Sequence, residues 1–130
     1  MPERVFLPNW DELRAREQKK IEELQQLGWQ KARIIADYLK QQWQVEKVWL
    51  IGSLAQGRFG VNSDLDLVIS GFKDQQRYFK VLDDCLRLAD PFSVDLLLAE
   101  ELPPGWEKNL YYSSYLWLST GLESYGTIGQ

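Results

Sequence analysis

Two aspartates, Asp64 and Asp66, stand at the head of LDLVIS, an otherwise apolar and β-prone run. Side chains alternate faces along a strand, so this spacing turns both carboxylates to one side, about 6.6 Å apart at the Cα level. They could reach one cation or a close pair; two-metal phosphoryl-transfer sites hold their ions about 3.5–4 Å apart. Leu65, Leu67 and Ile69 then line the opposite face and a core. A third acid, Asp95 in SVDLLLA, falls on another predicted strand. Neighbouring strands lie about 4.8 Å apart, close enough for Asp95 to complete a cluster. Three unpaired carboxylates so near repel one another unless a cation neutralises them or one stays protonated.

Separated from Asp64 by ten intervening residues, Gly52-Ser53 ends a preceding apolar run and opens a short predicted helix, Leu54 to Gln56. A helix start offers free backbone N–H groups, Ser53 adds a hydroxyl, and Gly52 lets an anion approach the backbone, which together suit a phosphate. Arg58 in the following loop could contact the same anion or be a solvated surface charge. Singly, a Gly-Ser is a common turn, and an Asp-x-Asp may cap a strand or take calcium adventitiously. In combination they run strand, loop, strand, which returns the acids beside the phosphate cradle.

Composition narrows the chemistry further. The 130 residues contain no histidine, which removes the usual general base, the usual zinc ligand and every Ser-His or Cys-His dyad. Carboxylate chemistry remains, and carboxylates prefer hard cations, magnesium or manganese. The lone Cys85 reads as a small buried apolar residue in a helix. A net charge of −4 argues against an extended nucleic-acid surface. No apolar segment approaches the roughly 20 residues that span a bilayer and no leader pattern opens the chain, so a cytoplasmic protein without a membrane is expected.

The elements that must position these residues can be read from periodicity. Asn9 and Glu12 have the spacing of a helix-capping pair, after which Asp11 to about Leu27 is predicted helical, with Leu13, Ile21, Leu24 and Leu27 on its apolar side. A break or bend is expected at Gly28, followed by a second helical stretch with Ala32, Ile35, Leu39 and Trp43 in its apolar stripe. Lys47 to Ile51, Leu65 to Ser70 and Ser93 to Ala99 are predicted strands, and Asp74 to Leu88 a helix between the last two. The aromatic run Tyr111 to Leu118 has no clean period and is left as strand, helix or partner-binding edge. The expectation is an α/β (α+β) fold, a small mixed sheet with helices packed on it. One domain is expected overall, divided into an N-terminal helical extension, 1–45, and a core, 46–130.

The stretch GSLAQGRFGVNSDLDLVI resembles the signature of the polymerase-beta-type nucleotidyltransferase superfamily, and in particular its minimal nucleotidyltransferase (MNT) proteins. The resemblance is specific over residues 47–70 and extends in order and length to Asp95. It implies that Gly52 and Ser53 hold the phosphates of ATP or another nucleoside triphosphate, beside which Ser63 and Arg58 stand as further candidate phosphate contacts. It further implies that Asp64, Asp66 and Asp95 bind magnesium, with manganese an alternative, and that Asp95 helps deprotonate the acceptor hydroxyl. Many MNT proteins act as antitoxins of a HEPN-domain partner, by transferring AMP to it or by binding it.

The expected function is therefore magnesium-dependent transfer of a nucleoside monophosphate, AMP foremost, to a hydroxyl of a protein partner, with a HEPN toxin as that partner. The alternative is a non-catalytic antitoxin that neutralises a HEPN ribonuclease by binding. An antibiotic-type transferase acting on a small molecule ranks lower, for want of chain length to enclose a sugar. Polymerisation ranks last, on charge. Oligomeric state is left open, an oligomer included.

Overall fold

The computed structural model describes residues 8–109, 114–118 and 123–127. The first element, α1 (Trp10–Trp43), starts where the capping pair predicts, with Glu12 N–H donating to Asn9 Oδ1 at 3.2 Å. The break expected at Gly28 does not occur, and α1 is one 34-residue helix. Gly28 is buried, and a Cβ there would lie 2.9 Å from Phe59 Cε2 and 3.0 Å from Leu54 Cδ1. Its missing side chain thus lets the helix pack closely, which offsets the ~1 kcal/mol helix-propensity cost of glycine. The apolar residues on either side of Gly28 fare differently. Ala32, Ile35 and Leu39 are buried as expected and Trp43 is half-buried against the core, whereas Leu13 and Ile21, expected on a packed apolar side, are exposed.

The sheet has five strands in the order β3-β2-β1-β4-β5, and it is mixed. Strands β1 (Lys47–Ile51) and β2 (Asp64–Ser70) pair antiparallel, and β2 runs parallel to β3 (Ser93–Leu98). The parallel pair is joined by a crossover through a one-turn 3₁₀ segment, Gln75–Arg77, and α3 (Tyr78–Ala89); α2 (Gly52–Ala55) is a single turn after β1. On β1's other side lie β4 (Tyr115–Leu118) and then β5 (Glu123–Thr127), both antiparallel to their neighbours. The end of the aromatic run is therefore a strand, while residues 111–113 lie outside the described residues. Sequence reading made no prediction of β5.

Register sorts the sheet into two faces. Val48, Leu50, Leu65, Leu67, Ile69, Leu96 and Leu98 share one face, are all buried, and pack under α1 and α3. Asp64, Asp66 and Asp95 share the other. Two helices covering one face of a five-stranded mixed sheet realise the expected α/β architecture. Tyr38 ties the helices together: its hydroxyl donates to Asp84 Oδ2 of α3 and accepts from Trp43 Nε1 at 2.7 Å. Among the described residues no helix is long and apolar enough to cross a membrane.

Candidate active site

Asp66 sits directly opposite Asp95 across the parallel β2–β3 pair and opposite Ile51, the last residue of β1. Asp64, one pleat earlier, lies opposite Ser93. The period-2 argument thus places all three carboxylates on one face at one end of the sheet. Asp64 and Asp95 are exposed and Asp66 is half-buried. Burial pushes the Asp66 carboxyl above its ordinary range, and the charges of Asp95 and then Asp64 push it further. Among the described residues, none of the three has a hydrogen-bond or ion-pair partner. Beyond Asp66 the same face closes over, where Val68 and Trp49 are buried and Trp106 stands edge-on to Trp49 with ring centroids 5.0 Å apart.

The chain leaves β1 at Gly52 with φ +80°, a conformation glycine adopts freely. A Cβ on Gly52 would lie 2.1 Å from Asp66 Oδ2, so the backbone at the head of α2 is pressed against the central carboxylate. The Ser53 hydroxyl next to it is half-buried and has no partner among the described residues. Arg58 is held to this turn through its backbone, its N–H donating to Ser53 O at 2.8 Å, while its exposed guanidinium donates to the Gln56 side chain. Ser63 closes the turn into β2: its Oγ accepts from Gly60 N–H at 2.9 Å and its N–H donates to Gly60 O at 3.1 Å. A polar cleft of about 240 Å³ opens beside Asp64, lined by Asn62, Ser63 and Ser93.

Three mutually repelling oxygen donors without a cationic partner suit a hard divalent ion in their chemistry. As placed, no group of three or more acidic or sulfur side chains among the described residues is drawn together around one point. The fit therefore rests on donor type, shared face and repulsion.

Several supporting residues escaped sequence reading. Phe59, at 1% exposure, anchors the loop between Gly-Ser and Asp-x-Asp by packing on Phe92 (centroids 4.7 Å apart) and against Gly28. Its signal was present, a single aromatic in a polar, glycine-rich loop. Tyr78 donates its hydroxyl to Leu96 O on β3. Cys85 is buried as expected, and burial pushes its thiol up to about 12, which leaves it inert at neutral pH.

With this geometry in place, the chain matches the model of the nucleotidyltransferase domain over residues 32–113, more than half its length. It belongs to that family. The nucleotidyltransferase match opens within α1 and takes in β1, β2, β3 and all seven candidate residues. Domains of this family generally use a nucleoside triphosphate and a divalent metal. The fold is also like that of a chain in a crystal structure described as a mutant of the toxin-antitoxin MntA-HpeT, with a TM-score of 0.52. That likeness spans 66% of this chain and 70% of the other at 16% identity, and it is a likeness of fold. No curated protein matches the chain.

Proposed function

We propose that the chain transfers a nucleoside monophosphate, AMP from ATP foremost, to a hydroxyl of a protein partner, as the antitoxin of a toxin-antitoxin pair in the cytoplasm. The observation that carries the reading is the contact of Gly52 with Asp66, which sets the phosphate cradle against the acids. In this reading Gly52, Ser53 and Ser63 receive the triphosphate, with Arg58 at its rim. Asp64, Asp66 and Asp95 hold the divalent ion, which when bound supplies charge neutralisation to the phosphates and the departing pyrophosphate. Asp95, exposed at the outer strand, accepts the proton of the acceptor hydroxyl. That oxygen bonds to the α-phosphorus, the bond from the α-phosphorus to the bridging oxygen breaks, and pyrophosphate leaves with its electron pair. Such chemistry depends mainly on positioning and charge neutralisation, and no histidine is required.

The fold likeness to a toxin-antitoxin chain supports a toxin as the partner, and the MNT resemblance makes that toxin a HEPN-domain protein. Mass spectrometry of candidate acceptors after incubation with the chain, ATP and magnesium tests transfer, the expected result being an acceptor that gains the mass of AMP. The second reading, neutralisation by binding alone, draws on the exposed first half of α1. It wins if Asp64→Asn with Asp66→Asn neutralises the toxin undiminished and the wild type transfers no nucleotide.

A further inference from the structure

Strand β3, which carries Asp95, is an outer strand of the sheet. Exposed sheet edges are usually guarded by lysine, proline, a bulge or a covering element. Ser93–Leu98 has the sequence SVDLLL, with no lysine or proline, and its pairing with β2 runs without a register shift. Beside it, α3 carries Phe79, Leu82 and Leu86 at i, i+3 and i+7, one helical face, with Leu82 half-buried against the core between its two exposed neighbours. That face points away from Asp84, which meets α1, and so runs along the outer margin of the sheet. Phe79 is 78% exposed and Leu86 37%.

Between Phe79, at the head of this stripe, and the strand lies a cleft of about 310 Å³, lined by Gln75, Tyr78, Phe79, Leu96 to Leu98 and Glu101. Its floor residues follow Asp95 directly in the chain. The Tyr78 hydroxyl, which donates to Leu96 O, is pushed above its ordinary range by burial and then by the charge of Asp95.

We infer that this margin, the open side of β3 with the Phe79–Leu82–Leu86 stripe, docks the segment of the partner protein that carries the acceptor hydroxyl. The inference rests on the transfer reading above and adds where the acceptor sits. Continuity with the site is the first argument, because a segment lying on Leu96 to Leu98 delivers its next residues to Asp95. Extent is the second: Phe79 to Leu86 spans about 10 Å of helix, more than a small sugar covers. Charge is the third. A second copy on this margin would bring two sets of unpartnered carboxylates together, whereas a neutral or basic segment with apolar side chains meets no such repulsion.

The test uses the full chain with ATP, magnesium and two sets of synthetic octapeptides, each with a central Ser, Thr or Tyr. One set is flanked by Leu, Phe and Lys, the other by Asp and Glu. The apolar and basic set is expected to take up AMP in preference. Phe79→Glu is expected to raise KM for that set about tenfold or more while ATP–magnesium affinity stays within about twofold. Ile34→Glu, exposed on the second half of α1, is expected to change neither. Leu86→Glu repeats the test should Phe79→Glu fail to fold by circular dichroism. An unchanged KM in the folded variant, equal labelling of both sets, or labelling of neither overturns the docking site. So does a wild-type dimer in sedimentation that Phe79→Glu splits. Transfer itself is read separately, from AMP label passed from ATP to the intact partner toxin and lost in Asp66→Asn, so the docking site can fail while that reading stands.

Discussion

Gly52 directly follows Ile51, the last residue of β1, which pairs with Asp66 of the antiparallel β2, and the Asp66 carboxylate fills the space a Gly52 side chain would need, Oδ2 lying 2.1 Å from the Cβ position. Gly52→Ala therefore adds a methyl to a φ of +80° and drives it into the central acid. The variant is expected to lose about 1–3 kcal/mol of stability through backbone strain and displacement. Calorimetry gives that loss, and ATP–magnesium titration is expected to show a loss of affinity greater than a distant variant of equal stability shows.

Asp66 itself should destabilise the metal-free fold. Its folded-state pKa lies above the ordinary 3.8, so between that value and the raised one the folded chain binds more protons than the unfolded chain. Stability accordingly falls as pH rises through that window and stays lower at neutral pH. Asp66→Asn is expected to raise the Tm of the metal-free protein at pH 7, the gain in unfolding free energy being less than about 1 kcal/mol once partial exposure is discounted. The gain should vanish near about pH 3, below the unfolded pKa. Millimolar magnesium should raise the Tm of the wild type more than that of the variant, which scanning fluorimetry across pH and metal reads directly.

The clamp between the helices offers a test away from the site. Tyr38→Phe removes the donor to Asp84 and leaves Trp43 Nε1 without its acceptor. Asp84 is held below its ordinary range first by Tyr38 and then by Lys80, whose Nζ lies 3.1 Å away. Its contribution is therefore present above the unfolded pKa and lost as pH falls through the folded one. Urea denaturation is expected to show a loss of about 1 kcal/mol at pH 7 that shrinks in acid.

Gly28→Val tests why α1 does not break. The new methyl groups meet Phe59 and Leu54, which hold the loop between cradle and acids. Overpacking of this kind costs about 1–3 kcal/mol. Nucleotide affinity is expected to fall with stability, since the strain passes through Phe59 into the Gly52–Asp64 loop.

Which parts of this were legible in the sequence follows from the range of the forces involved. Asn9 and Glu12 cap α1 through a contact three residues long, and Asp64 and Asp66 share a face through the period of one strand, so both could be read locally. The pairing of Asp66 with Asp95 needed only the predicted order of strands. Gly28 was misread because local propensity disfavours it, whereas its fate is decided by Phe59, 31 residues away in sequence and packed on both Gly28 and Phe92. Leu13 and Ile21 have the spacing of a buried stripe, but periodicity does not say where the sheet beneath a helix ends. Strand β5, with a glycine within ESYGT, carries little apolar alternation to betray it.

The central claim is that Asp64, Asp66 and Asp95 beside Gly52 form a metal-dependent nucleotide-transfer site. It is tested most directly by incubating the purified chain with its partner toxin, ATP labelled at the α-phosphate, and magnesium, beside the Asp64→Asn and Asp66→Asn variants. The expected result is label on the partner with the wild type, abolished by chelation and reduced at least about a hundredfold in either variant. Label that persists equally in the variants, or never passes from ATP with the wild type, would contradict it.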